Sequence, residues 1–332
     1  MDDFRRQMAD HMVRYKKDVL KVADCGTWRG KEYEHILPEE LWELNLWDGI
    51  RYKAREYFSR FGIAWHQDRH NLLSSQLFAV NLFFPFTSEP EMLKPSLRPH
   101  CQDLASVVGV DFEYIGPRDR NDPSGYRDYF NEGGSRGKNR TSTDVAIEWL
   151  NLAGRKNLLL LEFKFTESEF GRCSKRPGTN LNLCSSAGDV MRQPEKWCYR
   201  ATIGRSYWKY ILAADSPFVL DRLAAGKVCP FRYDFYQLMR NQLLAHCVQQ
   251  DRWNGYDRVE FGILYPARNE ALMTMRHAYA GESNTLAAWR GLLRNPASFQ
   301  PLTIENFLGH SNLDAGHCLA SWRSFIKEKY LT

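Results

Sequence analysis

Apolar residues recur at helical spacing at the start of the chain. In "MADHMVRYKKDVLKVA" they fall on one face, and "PEELWELNLWDGIRYKAREYFSRFG" opens with a proline and two glutamates, as first turns of helices do. Residues 1–65 therefore read as helices. "HNLLSSQLFAVNLFFPF" (70–86) is apolar on most sides, which predicts a buried helix ending at Pro85 and carrying the polar set Ser75, Gln76 and Asn81. A further helix is expected around 95–108. Three runs then take strand character: "VGVDFEYIG", "STDVAIEWL" and "KNLLLLEFKF". Helices return at 194–212 and in "YDFYQLMRNQLLAHCV" (233–248), another strand follows in "RVEFGILYP", and the C-terminal segments read as helical. The pattern predicts a small mixed sheet among helices, an α/β or α+β arrangement. Its expected division is an N-terminal helical segment over 1–69, a core over 70–270 and a C-terminal helical segment over 271–332, packed as one unit.

One run breaks the pattern. "LLLLEFKF" is apolar enough for the middle of a sheet, yet it carries Glu162 and Lys164. A buried charge is costly unless it is paired, bound to a metal or used in chemistry. Strand side chains alternate, so Asp144, Ala146 and Glu148 share one face of their strand, as do Leu158, Leu160, Glu162 and Lys164 of the next. The intervening "NLAGRKN" reads as a turn. A hairpin centred near Ala153 pairs Glu148 with Leu158 and sets Asp144 across from Glu162. Two carboxylates and a lysine then converge. Facing carboxylates repel, and a hard divalent cation such as Mg²⁺ or Mn²⁺ removes the repulsion, filling its remaining positions with water and substrate phosphate. A lysine beside it can orient or deprotonate water and offset charge on a phosphate.

An Asp on one strand and Glu-x-Lys on the next resembles the core of the PD-(D/E)XK nuclease superfamily. "SSQLFAVNLF", "EFKFTESEFGRC" and "YQLMRNQLLA" extend the likeness, over roughly residues 70–248, to a bacterial restriction-endonuclease group within it. Thr143 stands where the motif has proline, a change that this superfamily tolerates. The resemblance implies a restriction-endonuclease-like core with a mixed central sheet, and a Mg²⁺- or Mn²⁺-dependent nuclease. It implies Asp144 and Glu162 as metal ligands with the carbonyl of Phe163, and Lys164 in water activation and charge stabilisation. A later helix of such proteins often lends a polar residue, which brings in Gln237 and Arg240, with Asn241 on the same face. Ser75, Gln76 and Glu148 are further candidates for lining the site, each equally readable as an ordinary polar position. Glu167 and Glu169 read as solvated loop charges. His66, Asp68 and His70 stand at strand spacing in a stretch that reads as a helix entry, and no metal site is expected there.

Composition narrows the classes. The 332 residues are 43% hydrophobic and 14% aromatic, a globular composition rather than a disordered one. No apolar run reaches the length of a membrane span and no signal core opens the chain, so a cytoplasmic protein without membrane contact is expected. The net charge of +5 is mild, but "GGSRGKNR" is a basic loop, and Arg136, Lys138 and Arg140 are its candidate contacts to nucleic-acid phosphate. The chain has 8 cysteines and no CxxC pair. Cys173, Cys184, Cys198 and Cys229 lie close enough in sequence to cluster, but their irregular spacing favours free thiols over a structural zinc or an iron–sulfur cluster. No GxxxxGK[ST] phosphate loop is present, so any ATP-driven translocation would come from a partner. The expected function is DNA cleavage, in restriction or phage defence, alone, as a homodimer or with a defence partner. A non-catalytic nucleic-acid binder, or a nuclease acting on RNA or branched DNA, stands as the alternative.

Overall fold

A computed structural model describes residues 3–119, 125–173, 183–184, 186–279, 281–309 and 319–331. Five strands form the central sheet: β3 (Leu104–Tyr114), β4 (Thr143–Asn151), β5 (Lys156–Phe163), β6 (Tyr256–Tyr265) and β9 (Phe299–Thr303), in that spatial order. β3, β4 and β5 run antiparallel, while β6 and β9 join parallel to β5, so the sheet is mixed. Two small hairpins lie outside it: β1 (Gly26–Trp28) with β2 (Lys31–Tyr33), and β7 (Thr274–Tyr279) with β8 (Glu282–Asn284).

The leucine run is explained by helices on both faces. Leu159, Leu161, Phe163 and Phe165 pack in one core with α1 (Asp3–Asp18), α2 (Arg51–Arg60), α3 (Ser75–Phe83) and the C-terminal helix, called α5 here (Ala320–Tyr330). Leu158 and Leu160 face a second core with the long helix α4 (Tyr236–Gln250). A strand covered on both sides has no polar face, so it reads as continuous hydrophobicity rather than alternation. The hairpin register is the expected one, with Val145 opposite Leu161 and Glu148 opposite Leu158.

Helix α3 is apolar nearly all round, as a helix buried on every side must be, and Ser74 caps it by accepting from the Leu77 N–H. Several boundaries differ from the periodicity. The expected helix around 95–108 stops at Leu97 because Pro99 cannot supply the next N–H, and the chain then enters β3. The 194–212 segment breaks into three short helices, with extended backbone at Cys198 and a left-handed Gly204 between them. The long helix expected over 38–62 splits. Leu46 is extended there, and the Trp47 N–H donates to Asn81 on α3 at 2.7 Å instead of to a helical carbonyl. Residues 26–33 and 271–303 supply strands where helices are expected, and β9 becomes the outer parallel strand of the sheet. These last segments are too short and polar for their periodicity to show.

Leu161 is fully buried on the hairpin. Leu161→Ala should therefore cost about 2–5 kcal/mol, the usual cost of such a truncation in a packed core. A denaturation midpoint unchanged from wild type would contradict the two-sided burial of β5.

Candidate active site

At the open end of the β4–β5 hairpin the even-numbered face turns polar. Asp144, Glu162 and Lys164 line one cleft of about 1600 Å³. Asp144 Oδ2 accepts the Phe163 N–H at 2.6 Å, which ties the two strands together where their regular pairing ends. Glu162 is 4% exposed and fully engaged. Its Oε1 accepts from Gln237 at 2.6 Å and from the Lys164 ammonium at 3.1 Å, and its Oε2 accepts from Asn241 at 2.8 Å. Gln237 and Asn241 stand one turn apart on α4, so that helix presents both amides to one carboxylate.

The charges feel one another. Burial, then the Glu162 and Glu113 carboxylates, pushes Asp144 well above the usual aspartate range. Burial raises Glu162 too, against the pull of Lys164. Burial alone would lower Lys164, but Glu162, Glu167 and Asp144 outweigh it and hold the ammonium above its ordinary value. Two desolvated acids raised by burial, one of them pushed further by the charge of the other, are the electrostatic signature of a cation site or an acid–base pair.

The donor set suits a hard cation. Asp144 Oδ1 has no hydrogen-bond partner among the described residues and belongs to a side chain that lines the cleft. Among the described residues no three His, Cys, Asp or Glu side chains are arranged to hold an ion by themselves. A cation at Asp144 and Glu162 would thus be completed by backbone oxygen, water and substrate, as Mg²⁺ sites commonly are.

A second carboxylate network, which the sequence reading missed, borders the first. Glu113 on β3 is 3% exposed and adopts a left-handed backbone (φ 48°) inside a strand, rare for a residue with a side chain. Gln76 donates to Glu113 Oε1 at 2.6 Å and Ser142 to its Oε2 at 2.8 Å. Gln76 also accepts the His66 N–H at 2.8 Å, and the His66 Nε2 lies 3.5 Å from Glu113 Oε1. The signal in the sequence was the same one that marked Glu162: an acid within the apolar run "VGVDFEYIG".

Other candidates fall in varied places. Ser75 and Glu167 line the cleft, and Glu167 also accepts the Phe165 N–H at 2.7 Å, so it is no solvated loop charge. His66 and Asp68 line the cleft as well. Arg240 lies on α4 but turns to Thr141 at 2.9 Å and Glu132 at 3.2 Å, outside the cleft lining. Glu148 is not a lining residue. It sits two pleats from Asp144, bonded to Tyr256 at 2.8 Å and Lys156 at 3.1 Å. Of the basic loop, only Lys138 is exposed on the cleft. Arg136 is 3% exposed and bonds Asp111, the Phe112 and Glu113 carbonyls and Tyr126, so it holds the loop in place and cannot reach a phosphate as drawn from sequence. Arg140 is half-buried on the Tyr126 and Arg127 carbonyls. Gly137 lets this loop cross close to the cleft wall, since a Cβ there would stand 2.7 Å from the Ala64 carbonyl. Cys184, Cys198 and Cys229 are buried in the second core, where the Cys184 and Cys198 thiols share a hydrogen bond and Cys173 bonds Arg200. Burial pushes the Cys229 thiol up, as in an inert core cysteine.

A five-stranded mixed sheet flanked by helices is consistent with a restriction-endonuclease-like core. The chain belongs to the family described as restriction endonuclease associating with ARP, whose match spans residues 9–331. No curated protein and no solved structure matches it. No helix among the described residues is long and apolar enough to cross a membrane.

The raised Asp144 carboxyl has a consequence for stability. Without metal, folding favours its protonated form, so that contribution is present at low pH and is lost as pH rises from the ordinary aspartate value of 3.8 through the raised one. Asp144→Asn keeps an oxygen for the Phe163 N–H but no charge. In EDTA at neutral pH it should melt higher than wild type, with a flatter dependence of melting temperature on pH. A lower melting temperature with an unchanged pH slope would show that Asp144 carries no electrostatic strain.

Proposed function

We propose that this protein is a Mg²⁺- or Mn²⁺-dependent DNA endonuclease of the PD-(D/E)XK type, hydrolysing phosphodiester bonds at Asp144, Glu162 and Lys164. One observation carries the reading: two acids on adjacent strands converge on a lysine, inside a cleft, where burial makes their mutual repulsion expensive. Asp144 and Glu162 would hold the cation, with the Phe163 carbonyl as the further ligand that the superfamily resemblance implies. When bound, the cation supplies an acidified water and offsets charge growing on the attacked phosphate.

The chain's own residues do the rest. Gln237 and Asn241 fix both oxygens of Glu162, so its orientation costs nothing at the moment of reaction. Lys164 is held in its charged form by the acids around it, which suits stabilising a phosphate dianion and not removing a proton from water. Lys138 is exposed on the cleft, and a cation there suits contact with backbone phosphate. The family's description adds an association with ARP, and we include a partner, together with a role in restriction or phage defence in the cytoplasm, in the proposal.

Purified protein should nick or cut plasmid DNA with Mg²⁺ or Mn²⁺ and not with EDTA. Lys164→Ala should fold and bind normally but cut about 100-fold more slowly or worse, the typical loss for an electrostatic group. Lys164→Arg should fail as well, since a planar guanidinium does not replace a compact ammonium. Lys138→Ala should weaken binding and reduce its salt dependence while sparing the chemical step. Binding without cutting, with any ion and on double-stranded, single-stranded or branched DNA and RNA, would make this a nucleic-acid binder instead.

A further inference from the structure

Hydrolysis of a phosphodiester needs a proton for the departing oxygen, and the residues above do not supply one. Asp144 and Glu162 are assigned to the cation, and Lys164 gives up its proton less readily than an ordinary lysine. Among the described residues two histidines line the cleft, His35 and His66. His35 packs edge-on against Tyr33, has no carboxylate partner among the described residues, and is lowered by burial and by Arg5 and Lys16. His66 differs in each respect. Its backbone N–H is held by Gln76, its Nε2 faces Glu113, and its side chain is 42% exposed to the cleft. Glu113 is itself fixed by Gln76 and Ser142, on a strained backbone.

Resting on the nuclease reading above, we propose that Glu113 and His66 form a proton-delivery pair, in which Glu113 orients the imidazolium and His66 protonates the leaving oxygen of the cleaved phosphodiester. Nε2 is turned toward Glu113, and Nδ1 has no hydrogen-bond partner among the described residues, so Nδ1 is the atom that meets substrate. As water oxygen bonds to phosphorus and releases one proton to solvent, the bond from phosphorus to the leaving sugar oxygen breaks. Its electron pair takes the proton from Nδ1, and the neutral imidazole regains one from solvent. The groups acting on His66 are Glu113 on β3, Glu162 on β5 and Lys164 just past it. Burial lowers His66, but Glu113 more than offsets that, leaving it more readily protonated than a free imidazole. A histidine aimed by a buried carboxylate is the same device that orients proton-transfer histidines in hydrolases generally.

The test removes the need for the proton. DNA substrates carrying sulfur at one or the other bridging position of the scissile phosphate release a thiolate, which leaves unprotonated. Wild type and His66→Ala are compared on these and on ordinary DNA with Mg²⁺ or Mn²⁺, with His66→Gln and Glu113→Gln as further variants and thermal melts as the folding control. On ordinary DNA, His66→Ala should be roughly 100-fold slower, and with sulfur at the leaving position the gap should close to within about threefold. Glu113→Gln should show a smaller loss that closes on the same substrate. An equal deficit on every substrate, or no deficit on ordinary DNA, would overturn the proton-delivery role while leaving the nuclease reading intact. A wild type that cuts none of the substrates removes the nuclease reading itself, and this inference with it.

Discussion

Everything at the candidate site follows from the burial of Glu162. A carboxylate in the middle of a sheet covered on both faces is unstable unless each of its oxygens is satisfied. The fold meets that demand from two directions. Lys164 answers from just past the end of the strand, two residues on, and α4 answers from above with Gln237 and Asn241. The parallel crossover from β5 to β6 carries α4 over the sheet, so the topology itself delivers those amides. Asp144 is the less satisfied of the two acids, with one oxygen on the Phe163 N–H and no partner for the other among the described residues. That asymmetry leaves a place for a positive charge.

A second polar system holds the shell around the site together. Asn81 on α3 donates to the Asn45 carbonyl and to the Tyr330 hydroxyl, and accepts the Trp47 N–H. The Lys329 ammonium donates to both oxygens of Asn45 at 2.6 and 2.7 Å, and the Trp322 indole donates to the Asn81 carbonyl. Tyr330 stacks on Phe78 of α3, whose ring also meets Phe163 and Phe165 behind β5. The C-terminal helix thus buttresses β5 from the face opposite the acids. Among the described residues no carboxylate accompanies Lys329, and burial drives its amine well below the usual lysine range. The carbonyls and ring faces around it make this a structural lysine, unlike Lys164, whose partners are carboxylates.

What the sequence by itself determined is local and periodic. A short turn centred near Ala153 was enough to set the hairpin register, because the loop between two antiparallel strands fixes which residues face each other. The anomaly of Glu162 and Lys164 in a leucine run was legible in another way: the apolar positions identified the core, and the charges stood out against it. Gln237, Asn241 and Gln76 were visible as polar positions in helices, but not what they touch.

The tertiary structure decided the rest. Arg136 looked like a free cation in a flexible basic loop, and only packing against Asp111 and the β3 carbonyls shows it to be buried. Glu113 is one acid in an apolar strand, and only Gln76 and Ser142 closing around it from distant segments give it partners. The helix expected over 38–62 was broken by a side chain 34 residues away, since Asn81 takes the Trp47 N–H. Periodicity reports which face of an element is buried, whereas hydrogen-bond partners and charge neighbours are properties of chain segments brought together only on folding. The strands and their acids were therefore written in the sequence, and the network that tunes those acids was not.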